Sequence, residues 1–180
     1  MEFNEKTISK ESIYQGKIID LEVHEVELIN GESSKRELVF HNGAVAVCAL
    51  TPDNKIVLVK QFRKPCEKPL LEIPAGKLDQ GENREEAAAR ELEEETGYRA
   101  KSLQWVTDMY GSPGFSNERL SIYFADQLEK GDMHPDEDEF IEIQLFSIEE
   151  IAEMLQRGEL EDAKTIIALQ HMLLNYNHSK

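Results

Sequence analysis

The sequence predicts an α/β protein, a mixed sheet with helices on its faces preceded by an antiparallel strand region. Three observations carry this. Short apolar runs, "GAVAVCAL", "IVLVKQF" and "LLEIPAG", are separated by turn signals. A strongly helical segment, from about Asn83 to Thr96, stands between strand-like segments rather than after them. Two more helical patterns close the chain. Strands interspersed with separated helices bury their apolar faces best as a layered α/β structure.

The elements follow in order. Residues 1–42 read as a short lead-in and then a hairpin: "KIIDLEVHEVEL" (17–28) alternates apolar and polar residues, "NGESS" (30–34) is a turn signal, and "KRELVF" (35–40) returns. Exposed strands of this kind are expected to pack on a second subunit, as a dimerisation or exchange region. The main domain, 43–180, begins with a central hairpin, "GAVAVCAL" and "IVLVKQF" around the turn "TPDNK" (51–55). "LLEIPAG" (70–76) is one further extended piece. After the helix come strands near 103–109 and 119–126, an acidic loop at 132–139, and a strand at 140–146. Helices at 147–158 and about 161–174 complete the chain.

Composition narrows the function. No apolar run approaches the ~20 residues of a membrane helix. The start "MEFNEKTISKESIY" lacks the basic-then-apolar order of a signal peptide. Two cysteines, Cys48 and Cys66, make no disulfide framework, and Cys48 sits inside an apolar run, so a reducing cytoplasm is expected. With 20 Lys+Arg against 36 Asp+Glu the net charge is −16, which repels nucleic acid. A small anionic substrate needs metal ions or a local basic patch to neutralise it.

The helix ending at Gly97 is the informative element. Asn83 and Glu86 have capping-box spacing, Ala87, Ala88, Ala89 and Leu92 form a small apolar face, and Gly97 suits the C′ position. Yet Glu91, Glu93, Glu94 and Glu95 crowd its last turn. Each carboxylate there loses about 0.3–1 kcal/mol against the helix dipole, and each like-charge pair costs roughly 0.2–0.5 kcal/mol more. A solvated acidic helix end is the bland explanation in so negative a chain. Divalent metal binding is the better one, because hard oxygen ligands on one face hold Mg²⁺ or Mn²⁺ and the ion removes the repulsion.

These residues also carry a resemblance. Gly76, Glu82, Arg90–Glu91–Leu92, Glu94–Glu95 and Gly97–Tyr98 match, at nine constrained positions over 23 residues, the signature of the Nudix hydrolases. The resemblance implies an α/β/α sandwich whose loop and helix cradle a metal-bound diphosphate. It implies Glu91 and Glu95 as metal ligands, Glu94 as a further ligand or water-orienting group, and Ala75 as a carbonyl donor. Arg90 would hold the glutamates in place, and Glu82 would tie down the loop.

The substrate is read from other segments. In "GSPGFSNER" (111–119), Pro113 lies 16 residues beyond Gly97, a spacing that resembles the ADP-ribose pyrophosphatase subfamily. By that resemblance Ser112, Pro113, Gly114 and Glu118 line the ribose side, with Arg119 paired to Glu118 or phosphate. Arg63, in "KQFRKP", resembles a phosphate-binding arginine, and Arg36 resembles one that reaches the partner subunit's site across a homodimer. Tyr14 and Phe40 are candidates for stacking on adenine.

The acidic loop, "HPDEDEFIEI" (134–143), reads by itself as a solvated charge run. The chemistry gives it a second reading, as the source of a base or a further metal ligand. Hydrolysis needs a water deprotonated near neutral pH, and a loop carboxylate can deliver that proton acceptor once substrate is bound. The family's loop glutamate falls on Glu139, with Glu137 second. The expected reaction is Mg²⁺-dependent cleavage of ADP-ribose to AMP and ribose 5-phosphate. A GDP- or ADP-hexose substrate is the alternative, and a non-enzymatic binding protein on the same scaffold is the rival of another class.

Overall fold

A computed structural model of the protein describes residues 3–134 and 140–176. The chain divides into two compact units, Met1–Gly43 with Met109–Leu120, and Ala44–Asp108 with Ser121–Lys180.

The first unit is a three-stranded antiparallel sheet in the order β1 (Lys6–Gln15), β2 (Ile19–Glu27), β3 (Ser33–His41). The expected hairpin is β2–β3, in register from Ile19↔His41 to Glu27↔Ser33. The expected lead-in is instead a ten-residue strand. Its side chains are exposed throughout, so backbone hydrogen bonds to β2 hold it and no apolar alternation announces it. The segment 109–120 joins this unit through β3: Val39 N–H donates to Phe115 O at 2.7 Å, and Asn117 N–H donates to Val39 O at 3.1 Å.

The second unit has an α/β/α architecture around a mixed central sheet. β4 (Ala44–Leu50) and β5 (Lys55–Arg63) form the predicted central hairpin. "LLEIPAG" is not one extended piece but two, β6 (Lys68–Glu72) on β5 and β7 (Ala75–Lys77) on β4. Pro74 lies in the break; it has no N–H to give a ladder, and its carbonyl accepts from Val47 N–H at 2.9 Å. Then come α1 (Arg84–Thr96), β8 (Tyr98–Ala100), β9 (Gln104–Tyr110), β10 (Arg119–Ala125), β11 (Leu128–Lys130) and β12 (Glu142–Ser147). The chain closes with α2 (Ile148–Arg157) and α3 (Ala163–Tyr176). The sheet runs β12-β5-β4-β10-β9. Strands β8 and β11, three residues each, pair separately and are too short to carry a sequence pattern.

β4 explains the layering. All seven residues of "AVAVCAL" are buried, as a strand covered on both faces requires. Val45, Val47 and Ala49 pack in one cluster with Ala87, Ala88 and Leu92 of α1. The intervening residues face the other side by the two-residue period, and α3 packs against β4 there. Ala87 and Ala88 are small enough to bring the α1 backbone close to the sheet, which sets the glutamates of its last turns against β5 and β7.

Candidate active site

The site grows from both ends of α1. Asn83 caps it, its side chain accepting from the N–H groups of Glu85 (2.9 Å) and Glu86 (3.2 Å). Gly97 ends it in the left-handed conformation at φ 67°, its N–H donating to Glu93 O at 2.7 Å. Before the helix a tight turn is closed twice: Glu82 N–H donates to Asp79 O (3.1 Å), and Asp79 N–H donates to Glu82 Oε2 (3.0 Å).

Arg90 is the hub. Its Nε and Nη2 donate to Glu82 at 3.1 and 3.2 Å, and its Nη1 donates to Glu91 at 2.9 Å and to Glu94 at 2.8 Å. Burial works against the guanidinium's charge, but Glu82, Glu91 and Glu94 outweigh it and raise its pKa. The hydrogen bond from Arg90, aided by Asp79 N–H, holds the Glu82 carboxyl below the usual range. One side chain thus anchors the turn before the helix and orders two carboxylates at its other end.

Glu91 and Glu95 take different settings. The Glu91 carboxylate lies against Gly76, where an added Cβ would sit 1.9 Å from its Cδ. Gly76 is therefore the space that Glu91 occupies. Glu95 is only 2% exposed; its Oε1 accepts from Gln61 Nε2 at 3.1 Å and its Oε2 from Ala75 N–H at 3.0 Å. Ala75, expected for its carbonyl, thus also fixes Glu95 through its N–H.

Arg63 ends β5 with Nε and Nη2 donating to Glu72 at 2.6 and 2.8 Å. That hydrogen-bonded pairing raises its pKa, against a smaller effect of burial, and the Glu95 charge adds to the rise. Arg63, Ala75, Arg90, Glu91, Glu94 and Glu95 thus all belong to the second unit.

The described residues that the sequence predicts for the substrate's ribose and adenine side, and Arg36, lie in the first unit. Ser112, Pro113 and Gly114 form a turn closed by Phe115 N–H (3.1 Å) and Ser116 N–H (2.9 Å) donating to Ser112 O. Glu118 lies 3.8 Å from His41 Nδ1. Arg36 pairs with Glu5 through Nε at 2.9 Å and Nη2 at 2.6 Å. Tyr14 is exposed on β1, and the Phe40 ring is 6.0 Å from that of His24. Glu139 and Glu137 lie outside the described residues.

Sequence reasoning missed Gln61 and Glu72. A signal existed for both, since Gln61 in "IVLVKQF" and Glu72 in "LLEIPAG" are polar residues within apolar runs, and each is buried and needs a partner. Among the described residues no three His, Cys, Asp or Glu side chains stand as a ready-made metal cage. The donor set still suits a hard divalent ion. It is oxygen only, and Glu91 and Glu94, 15% and 38% exposed, are drawn together by one guanidinium nitrogen beside a glycine.

A NUDIX domain match spans residues 40–169. The chain is 52% identical over 174 residues to an ADP-ribose pyrophosphatase of Bacillus subtilis, covering 94% of this chain and 93% of that protein. It is 47% identical over 174 residues to a methanol dehydrogenase activator of Bacillus methanolicus, covering 96% of this chain and 94% of that protein. Among solved structures, that of an ADP compounds hydrolase superposes with a TM-score of 0.86 over 99% of this chain and 98% of the other, at 21% identity, a likeness of fold.

Proposed function

The chain belongs to the NUDIX family, and we propose that it is an ADP-ribose pyrophosphatase, hydrolysing the diphosphate bond to give AMP and ribose 5-phosphate. The observation that carries the substrate is the end-to-end 52% identity to an enzyme of that name. The clustered carboxylates of α1 support the chemistry.

Glu91 and Glu95, with the Ala75 carbonyl, are the residues that would hold Mg²⁺, or Mn²⁺ in its place, with Glu94 beside them. Such an ion supplies charge relief for the diphosphate and lowers the pKa of water. The chain's own residues do the rest. Arg90 keeps Glu91 and Glu94 aligned and is itself held by Glu82. Arg63 binds a phosphate oxygen pair. Ser112, Pro113, Gly114 and Glu118 receive the ribose side, where Glu118 can accept hydrogen bonds from sugar hydroxyls. Glu139 accepts the proton of the attacking water. Arg36 serves the neighbouring subunit of a homodimer; the long exposed strand β1, with Ile8 and Ile13 uncovered, supports an exchange of this kind.

A panel of ADP-ribose, ADP-hexoses and GDP-hexoses, with products identified by mass, tests the substrate. Faster turnover of a hexose compound would reject ADP-ribose as the preferred one. The relative named for dehydrogenase activation supplies a second reading. Stimulation of a methanol dehydrogenase by a chain inert on the whole panel would favour it. Sedimentation tests the dimer, and a monomer at working concentration would remove the shared role of Arg36.

A further inference from the structure

Glu72 is 2% exposed, and it faces two cations. Arg63 engages it through Nε and Nη2, and Lys164 Nζ contacts Oε2. Burial alone would raise the Glu72 carboxyl, but Arg63 and Lys164 outweigh it and hold it in the charged form. The first turn of α3 locks the arrangement. Lys164 also reaches Asp162 Oδ1 at 3.0 Å. Asp162 accepts from Thr165 N–H at 2.9 Å, and Ile73 N–H donates to Thr165 Oγ1 at 2.9 Å. The strand residues Glu72 and Ile73 are therefore clamped by the helix.

A guanidinium has five N–H donors arranged in two bidentate edges. Glu72 takes the Nε/Nη2 edge of Arg63 and leaves three donors, on Nη1 and Nη2, along the other edge. Among the described residues none of those three makes a hydrogen bond, and the side chain is 39% exposed.

We propose that Glu72 and Lys164 are positioning residues, which hold Arg63 with its outer edge presented to the substrate diphosphate. Their role rests on the reading of Arg63 as a phosphate ligand. Lys164 gives Glu72 a second counter-charge, so when Arg63 shares itself with an incoming phosphate the buried carboxylate is not left uncompensated. Without Lys164, Glu72 competes with the substrate for one guanidinium.

The test is steady-state hydrolysis of ADP-ribose by Lys164→Gln, Lys164→Arg and Arg63→Lys, and by Lys164→Gln combined with Arg63→Lys, at a temperature where circular dichroism shows each folded. Lys164→Gln should raise KM about tenfold, the size of one charged hydrogen bond, with kcat within about twofold. Lys164→Arg should restore KM, and the effect should vanish in the Arg63→Lys background. If Lys164→Gln does not fold, Glu72→Asp, which keeps the charge and withdraws the carboxylate by one methylene, carries the same expectations. An unchanged KM, or the same factor in both backgrounds, overturns the positioning role. An unchanged KM in Arg63→Lys alone overturns Arg63 as a phosphate ligand, and this inference with it.

Discussion

Gly76→Ala separates the site's geometry from the fold's stability. The new Cβ would lie 1.9 Å from Glu91 Cδ and 2.1 and 2.2 Å from its two oxygens. Ordinary non-bonded contacts lie near 3.5–4.0 Å, so the carboxylate must retreat by roughly 1.5 Å. The backbone has no objection, because Gly76 is not among the glycines at positive φ. Alanine there removes unfolded-state freedom worth about 0.4–1 kcal/mol. Against this stand an off-rotamer Glu91, about 0.5–1.5 kcal/mol, and a weakened, partly exposed contact with Arg90. Stability should therefore move by no more than ~1 kcal/mol in either direction. Activity should not be spared, since a misplacement of about 1 Å at a reacting centre can cost on the order of 10²-fold. The assay is turnover of ADP-ribose at saturating Mg²⁺ beside urea unfolding of the same preparation. Wild-type turnover in a folded variant would refute the claim that Gly76 exists to seat Glu91. A loss of more than ~3 kcal/mol would show that the glycine serves the fold instead.

Four further outcomes are expected. Glu139→Gln should cut turnover by about 10²–10⁴-fold with the melting temperature unchanged, and near-wild-type rates would move the proton acceptor to Glu137. Chelation by EDTA should abolish hydrolysis and leave the calorimetric melting temperature within a few degrees; joint loss of both would make the ion a folding cofactor. Glu72, whose carboxyl the Arg63 and Lys164 cations hold below the ordinary 4.5, contributes stability that is complete above that value and is lost as pH falls through the lower folded value. Urea unfolding stepped from about pH 5 downward should therefore steepen below 4.5, and Glu72→Gln should flatten the slope. Cys48 is buried and its thiol is pushed up to about 12, whereas Cys66 is exposed, so a thiol reagent should titrate one cysteine in the native protein and two in denaturant.

What was legible in the sequence was whatever depends on neighbours in the chain. Asn83 and Gly97 bound α1 because caps act within one turn, and the "AVAVCAL" run betrays a strand covered on both faces. The spacing of Glu82, Arg90, Glu91 and Glu94 foretold one cluster because all four sit on a turn and its following helix. Partners far apart in the chain were not legible. Lys164 meets Glu72 across 92 positions, and nothing near Lys164 signals it. The break in "LLEIPAG" came from two different pairing partners, β5 and β4, which no local pattern specifies. β1 escaped notice for the opposite reason: its side chains are all exposed, so its sequence carries no burial pattern.

The chain itself offsets part of the cost of the acidic end of α1. Burying Leu92 against the sheet contributes about 1.5–3 kcal/mol, and the Asn83 cap adds about 1 kcal/mol. Together these set about 2.5–4 kcal/mol against roughly 1.2–4 kcal/mol for four carboxylates at ~0.3–1 kcal/mol each, before their mutual repulsion of about 0.2–0.5 kcal/mol per pair is counted. Arg90 recovers part of that loss by ordering Glu91 and Glu94, and the Gln61 amide and the Ala75 N–H solvate buried Glu95 in place of water. Protein contacts thus assemble the glutamates, and the repulsion left among them is what a divalent ion would relieve. A divalent ion would meet side chains already placed by the protein, so its binding energy would go to holding substrate rather than to folding. This is why hydrolysis should be far more sensitive than stability to the loss of metal.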